Sequence, residues 1–101
     1  MSRAAWVCSV FFVIAAAFVG SARAADVSRG AQLARQWCAN CHVVDGSAPP
    51  SVQQGPPSFR SIGLSADQLR TFLTHPHGAM PDFALSRTEI DDLIAYIETL
   101  R

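Results

Sequence analysis

The chain opens with an apolar stretch that contrasts with everything after it. Residues 4–19 contain a single polar side chain, Ser9, whereas the sequence from Asp26 onward mixes apolar and charged residues. A short basic start, residues 1–3, precedes the stretch, and positions 20–24, which are small except for Arg23, follow it. This order of basic, apolar and small residues predicts a secretory signal peptide.

The end of the predicted leader sets the start of the folded domain. Ala22 and Ala24 supply the small side chains that an export peptidase requires, so we expect a signal peptide of residues 1–24 and a mature domain of residues 25–101. An uncleaved membrane anchor is the alternative, but 16 apolar residues are fewer than the ~17 to 25 of a spanning helix. Cys8 lies too early to be a lipid-attachment cysteine and is treated as part of the leader.

Apolar residues three and four positions apart predict two helices in the first part of the mature chain. Asp26 can cap the first helix. Ser65 and Gln68 form a capping box at the start of the second helix, which we expect to end near His75 because Pro76 follows. The predicted apolar face of the first helix, which includes both mature cysteines, consists of Gly30, Leu33, Ala34, Trp37, Cys38 and Cys41.

A third helix and a long loop complete the predicted fold. Ser86 and Glu89 form a second capping box, and the helix runs to the C-terminus. Residues 43–57 contain four prolines and two glycines, which predicts a loop of a length that usually wraps something. We expect a short extra turn near residues 58–62 and no strands, hence an all-α fold. The predicted buried face of the third helix is Ile90, Leu93, Ile94, Ile97 and Leu100, with Tyr96 on its flank.

Composition limits the function classes. The mature domain has six arginines, no lysine and eight acidic residues, a formal charge of −2, so it lacks the basic excess of a nucleic-acid binder. Its 77 residues exclude a multidomain enzyme, and 21 of them are bulky and apolar. A core of that size rarely supplies more than ~3 to 5 kcal/mol, so a metal or a large apolar cofactor is expected to complete it.

The chemistry lies in Cys38-Ala39-Asn40-Cys41-His42, a C-x-x-C-H pattern that is typical of covalent haem attachment. A disulfide between cysteines only three positions apart would restrict the unfolded chain very little, so another role is expected for them. One helical turn separates the thiols, so both can bond to the vinyl groups on one edge of a porphyrin. His42 then reaches the iron.

Three other uses of these cysteines are alternatives to haem attachment. A zinc site would add His75 and His77 to Cys38 and Cys41. Closed zinc sites usually place their ligand pairs on turns, whereas this cysteine pair lies on a helical pattern. A thioredoxin-like dithiol requires a preceding strand, and no strand pattern is present. A pair of buried structural thiols would leave His42 and the long loop unexplained.

Over residues 26–101 the chain resembles the class I cytochromes c, specifically the small bacterial type. The resemblance rests on the attachment motif of the first helix, Gly-Pro-Pro-Ser-Phe at 55–59, Met-Pro-Asp-Phe at 80–83 and the terminal helix ending Ala-Tyr-Ile-Glu-Thr-Leu at 95–100. It implies a cytochrome c fold, in which three main helices and long loops surround one covalently attached haem c.

The resemblance also implies the iron ligands. His42 and Met80 would hold the iron from opposite sides, and the backbone carbonyl of Pro57 would accept a hydrogen bond from the free ring nitrogen of His42. A thioether ligand raises the reduction potential relative to a second imidazole. His77 is the rival to Met80 as a ligand, and His75 is a weaker one.

Further positions have expected supporting roles. Gly30 would allow the first helix to cross the last one closely near Tyr96. Trp37 and Phe59 are expected to pack against the haem. Solvated side chains are the favoured interpretation for Arg60 and Arg70, with pairing to haem propionates as the alternative.

These expectations describe a periplasmic monohaem carrier of single electrons, with no substrate and no enzymatic activity of its own. A dedicated electron-accepting subunit of a periplasmic dehydrogenase is the first alternative, and a ligand-binding or peroxidatic haem protein is the second. Because lysine is absent, redox partners with a neutral or basic docking face are favoured. The chain is expected to be a monomer or a small subunit, in contact with membranes only through redox complexes.

Overall fold

The computed structural model describes residues 23–47, 55–76 and 78–101. Most of the predicted leader, residues 48–54 of the predicted loop, and His77 lie outside these described residues. The three main helices are α1 (Val27–Leu33), α2 (Ala66–Thr74) and α3 (Arg87–Thr99). The described residues contain no strand, which confirms the all-α prediction, and none of their helices is long and apolar enough to cross a bilayer.

Local side-chain hydrogen bonds start each helix where the sequence predicts. The carboxylate of Asp26 accepts from the amide of Arg29 at 3.0 Å and caps α1. Both reciprocal bonds of the capping box are present at Ser65 of α2 and again at Ser86 of α3. α2 ends at Thr74, with His75 as its C-cap, as expected before a proline. The predicted extra turn is a 3₁₀ turn over Phe59–Ser61.

The helix widens immediately after α1. Over Ala34–Cys38 it is a π-helix, because the amide of Ala39 donates to the carbonyl of Ala34, five residues back, at 3.0 Å. Such single wide turns occur frequently at functional sites.

This π-helix makes part of the predicted apolar face wrong. Residues five apart share a face in a π-helix, so Leu33 and Cys38 are both buried, whereas Trp37 is 43% exposed. Cys41 follows the end of the helix and is exposed, although the three-and-four spacing predicted it to be buried.

α3 forms the middle of the hydrophobic core, with α1 and α2 packed against it. The prediction for its buried face is confirmed. Tyr96 and Leu100 are half-buried, and the buried residues are Ile90, Leu93, Ile94 and Ile97. Asp92, whose burial was not predicted, has a fully buried side chain on the same helix. The buried apolar residues of the core are Leu33, Ala34, Cys38, Val44, Phe59, Leu69, Leu73, Ile90, Leu93, Ile94 and Ile97.

α1 crosses α3 at Gly30, as predicted. A Cβ atom at this position would lie 2.0 Å from the backbone oxygen of Asp92 and 2.9 Å from the Cβ of Tyr96. Only a glycine allows the two helix backbones to approach this closely. The crossing fixes the direction in which α1 leads into Cys38.

Candidate functional site

One backbone carbonyl organises the C-x-x-C-H segment. The oxygen of Cys38 accepts from the amide of Cys41 at 3.1 Å and from the amide of His42 at 2.9 Å. The two cysteines and the histidine therefore lie on one tight turn at the end of the π-helix. Both cysteines carry free thiols in the described chain, the first buried and the second exposed.

His42 is oriented by the far end of the loop. Its Nδ1 lies 2.6 Å from the carbonyl oxygen of Pro57, the contact that the resemblance implies. A carbonyl oxygen can only accept a hydrogen bond, so Nδ1 carries the proton and Nε2 keeps its lone pair. Such a bond fixes the ring and makes it a better donor to a metal.

The residues after Pro57 are held against the same segment. The amide of Phe59 donates to the carbonyl of Val43 at 2.9 Å, and the ring of Phe59 lies 5.6 Å from the ring of His42. The side chain of Phe59 is buried, and its contact with His42 fits its expected place in the core around the ligand. Ser58 is also buried, and its hydroxyl and carbonyl oxygens both bond to the hydroxyl of Ser61 at 3.0 Å.

Met80 is half-buried and packs against the hydrophobic core. The segment that follows it contacts the attachment segment, because the rings of Phe83 and Trp37 lie 5.8 Å apart. Trp37 contacts Phe83 and is 43% exposed, and its packing against the haem stays a prediction. Phe83 belongs to the Met-Pro-Asp-Phe stretch that the sequence singles out, but its contact with Trp37 was not predicted.

A turn between Met80 and α3 is held by a carboxylate. Asp82 Oδ1 accepts from the amide of Ala84 at 2.7 Å. Ala84 has a φ of 52°, in the left-handed region that residues with a Cβ seldom adopt. The hydrogen bond therefore stabilises a backbone conformation that alanine does not favour.

The structure gives different partners to the two arginines. Arg70 donates to Asp91 at 3.0 Å and to Asp67 at 2.9 Å, and 43% of its side chain stays exposed, so it is both ion-paired and in contact with solvent. Asp91 lies 21 residues from Arg70 in sequence, on α3, which is why local sequence patterns did not reveal the pair. Arg60 is exposed and donates to the carbonyl of Gly46 at 3.2 Å.

The cysteines lie on a turn rather than on the predicted helical pattern, but the described residues do not assemble a zinc site around them. Within residues 23–47, 55–76 and 78–101, no three His, Cys, Asp or Glu side chains come together as a metal site would require. His75 is exposed at the end of α2. His77, the other expected zinc ligand and the rival to Met80, lies outside the described residues.

The pKa values of two side chains near the turn are shifted. Burial raises the pKa of the Cys38 thiol. The hydroxyl and then the amide of Ser47 donate hydrogen bonds to Asp45 and lower the pKa of its carboxyl. Asp45 therefore keeps a negative charge three residues after His42.

The donor set fits a covalently attached haem. Two thiols lie on one turn, one of them accessible from solvent, and the adjacent imidazole has its proton directed to Pro57. Thiols supply the two thioether links, and an oriented neutral imidazole is a common haem iron ligand. A closed zinc site would instead require four ligands in a tetrahedral arrangement.

Comparisons with known proteins agree with this chemistry. Residues 25–97 match the family model described as cytochrome c oxidase, cbb3-type, subunit III. The chain is 50% identical over 86 residues to cytochrome c-552 of Bradyrhizobium diazoefficiens, an alignment that covers 80% of this chain and 81% of that protein. No solved structure matches the chain. The chain therefore belongs to this cytochrome c family and is a small bacterial class I cytochrome c, an electron-transfer protein of the kind that carries haem c.

Proposed function

We propose that the protein is a periplasmic carrier of single electrons with one haem c, attached through Cys38 and Cys41 and ligated by His42 and Met80. The sequence contains a single C-x-x-C-H motif, which supports one haem per chain. Met80 is the only methionine after the leader, so no other thioether competes with it. The haem supplies a reversible one-electron change between ferric and ferrous iron.

The observation that carries the proposal is the 2.6 Å contact between His42 Nδ1 and the carbonyl of Pro57. It holds the imidazole in the tautomer whose Nε2 can bind iron, next to the two thiols. The carbonyl is held in place because Phe59, two residues later, is bonded to the backbone of Val43. The chain thus positions its proximal ligand from both ends of the long loop.

Met80 is proposed as the second axial ligand. It lies in an irregular segment packed against the core, and Pro81 keeps it out of helical geometry. A thioether at this position favours ferrous iron and raises the potential. With both axial positions filled by the chain, a small molecule has no open site at the iron, which is why we propose a carrier rather than an enzyme.

The ligands are tested by absorption spectroscopy of the mature ferric protein. We expect a far-red charge-transfer band that reports sulfur ligation, and we expect Met80→Ala to abolish it. His75→Ala and His77→Ala serve as matched controls that keep the band. If the wild-type protein lacks the band, or if Met80→Ala keeps it, the assignment of Met80 is wrong.

The same samples test the peroxidatic alternative. A carrier with two chain ligands is expected to be low-spin and to bind cyanide or carbon monoxide poorly. A high-spin ferric spectrum in the wild-type protein, or ready binding of either molecule, would favour a ligand-binding or peroxidatic haem protein.

We propose export with cleavage after Ala24. Mass spectrometry of the protein from the periplasmic fraction is expected to give a chain that begins at Ala25 and carries one haem. A haem-loaded chain that retains residues 1–24 would favour a membrane anchor instead.

The family description names an oxidase subunit, so a carrier has to be distinguished from a permanent subunit of an oxidase or of a dehydrogenase. A carrier is expected to elute as a monomer in gel filtration of a detergent-free extract. Co-elution with a larger partner through every purification step would support the subunit. The mature charge of −2 and the absence of lysine favour a partner with a neutral or basic face.

A further inference from the structure

Asp92 is a buried carboxylate that the proposed electron transfer does not use. Its side chain is fully buried at the crossing of α1 and α3. One oxygen, Oδ1, accepts from the backbone amide of Asp26 at 2.7 Å. Among the described residues, no donor makes a hydrogen bond to the other oxygen, Oδ2.

Two arginines form long ion pairs with Oδ2 but make no hydrogen bond to it. Arg29 Nε lies 3.7 Å away and a terminal nitrogen of Arg23 lies 4.0 Å away, and half or more of each side chain is exposed. A buried carboxylate with an unsatisfied oxygen is costly, so native proteins rarely leave one in this condition. Arg23 also belongs to the predicted leader and leaves with it.

A surface cavity of about 310 Å³ connects this carboxylate to the end of the leader. Arg23, Ala24 and Ala25 line one part of it, and Asp91 and Asp92 line another. Arg70, which also lines the cavity, is already bonded to Asp91 and to Asp67. The predicted cleavage point therefore lies in the same cavity as Asp92.

We propose that cleavage after Ala24 completes this site, because it creates an α-ammonium group on Ala25 that donates to Oδ2 of Asp92. Hydrolysis of the Ala24–Ala25 peptide bond by the export peptidase consumes one water, leaves a carboxylate on Ala24 and frees the α-amino group of Ala25, which is protonated at neutral pH. The inference rests on the cleavage that the proposed function includes.

The hydrogen bond of Asp26 explains why the new terminus would reach Oδ2. The amide of Asp26 is fixed at 2.7 Å from Oδ1. Consecutive residues are about 3.8 Å apart along the chain, so the nitrogen of Ala25 lies within one residue of the same carboxylate. An ammonium offers three donors, whereas the Ala25 amide of the precursor offers one and carries no charge.

The proposed contact ties the start of the mature chain to α3, beside the glycine crossing. Removal of Arg23 and formation of the α-ammonium exchange one cation for another, so the site keeps its positive charge. Arg29 remains on α1 and adds its positive charge to the electrostatic potential at Asp92. Both carboxylate oxygens of Asp92, at the crossing of α1 and α3, then accept hydrogen bonds only in the processed protein.

The absence of lysine makes the test selective. In the processed chain the α-amino group is the only primary amine, so an acylating reagent such as acetic anhydride reports on it alone. We expect the mature haem-loaded protein to be acylated at least about tenfold more slowly than an Ala-Asp-Val-Ser peptide near pH 7, because a tenfold decrease in the reactive neutral amine corresponds to one pKa unit.

Two sets of variants complete the experiment. Asp92→Asn is expected to restore the rate of the peptide, whereas Asp91→Asn, at the neighbouring position bonded to Arg70, is the matched control that stays slow. Insertion of Gly-Ser between Ala24 and Ala25 keeps Asp92 and the cleavage site but moves the terminus by two residues. It is expected to raise the acylation rate to that of the peptide and to lower the melting temperature.

The outcomes separate this inference from the proposed function. Acylation of the wild-type terminus at the rate of the peptide overturns it, even if Asp92→Asn fails to fold. An unchanged slow rate after the Gly-Ser insertion overturns it as well, because steric shielding that does not depend on Asp92 would then account for the slow acylation. A mass that places cleavage elsewhere also overturns it, while the absorption spectrum reports on the haem independently.

Discussion

The hydroxyl of Tyr96 on α3 donates to the carbonyl of Val44 at 2.6 Å, across 52 residues of sequence. Val44 lies two residues after His42, in the segment that leads from the attachment turn into the long loop. α3 therefore holds the C-terminal end of the motif through Tyr96. Its crossing with α1 holds the N-terminal end. The terminal helix positions the site although none of its residues is expected to contact the iron.

Tyr96→Phe is expected to lower the free energy of unfolding by about 1–2 kcal/mol, because it leaves the Val44 carbonyl without its donor. Denaturant unfolding of the haem-loaded protein measures the loss. Thr99→Ala is the control: its hydroxyl bonds an exposed carbonyl on the same helix, and we expect a change within about 0.5 kcal/mol. Equal losses in the two variants would show that the contact with Val44 adds no stability.

Gly30→Ala is expected to destabilise the protein by about 1–3 kcal/mol or more. The new methyl group would lie 2.0 Å from the backbone oxygen of Asp92, so the helices must move apart. Gly63→Ala is the matched control, because a Cβ at Gly63 meets nothing within 4 Å. Its effect is expected to stay within about 0.5 kcal/mol or to be slightly stabilising. A tolerated Gly30→Ala would mean that the crossing is wider than the structure indicates.

How much of this could be predicted from the sequence depends on the distance between interacting residues. The caps at Asp26, Ser65 and Ser86 join groups three residues apart, so their pattern is visible in the sequence. The buried face of α3 follows from helical periodicity for the same reason. The crossing at Gly30 was expected from the family resemblance, and the structure confirms it.

The π-helix and the buried Asp92 were missed for a physical reason. A change from an i−4 to an i−5 bond after Leu33 is decided by how α1 packs on α3, and no local residue pattern reports it. In the sequence, nothing distinguishes Asp92 from the other acidic residues of its helix. Only its hydrogen bond with the amide of Asp26, 66 residues away, identifies its role. The contact between Trp37 and Phe83 likewise joins two distant segments.

Ser47→Ala is expected to raise the pKa of the Asp45 carboxyl toward its ordinary value. The serine hydroxyl is the main cause of the lowered pKa, and the amide of residue 47 remains as a weaker one. A carboxyl with a lowered pKa in the folded state stabilises the protein above its unfolded value of about 3.9, and this stabilisation is lost as the pH falls through the folded value.

Titration of the Asp45 carboxyl by NMR in the haem-loaded protein measures the shift. Ser61→Ala is the control, because its hydroxyl bonds to Ser58 and touches no carboxylate. We expect the acid-dependent loss of stability to become smaller in Ser47→Ala and to stay unchanged in Ser61→Ala. An unaltered Asp45 titration in Ser47→Ala would show that the serine hydroxyl does not bond to the carboxylate in solution.

Asp82→Ala and Ala84→Gly are expected to act in opposite directions on the segment that contains Met80. Asp82→Ala removes the acceptor that holds the amide of Ala84, and we expect a loss of about 1 kcal/mol and disappearance of the far-red sulfur band at a lower temperature than in the wild type. Ala84→Gly keeps the acceptor and relieves a φ of 52°, which costs a residue with a Cβ about 1 kcal/mol. Its band is expected to persist to a higher temperature.

Thermal melting of the far-red band is the measurement. Because Met80 is unchanged in both variants, the melting temperature of the band reports how firmly this turn holds the ligand. Identical melting in all three proteins would show that the turn does not hold it.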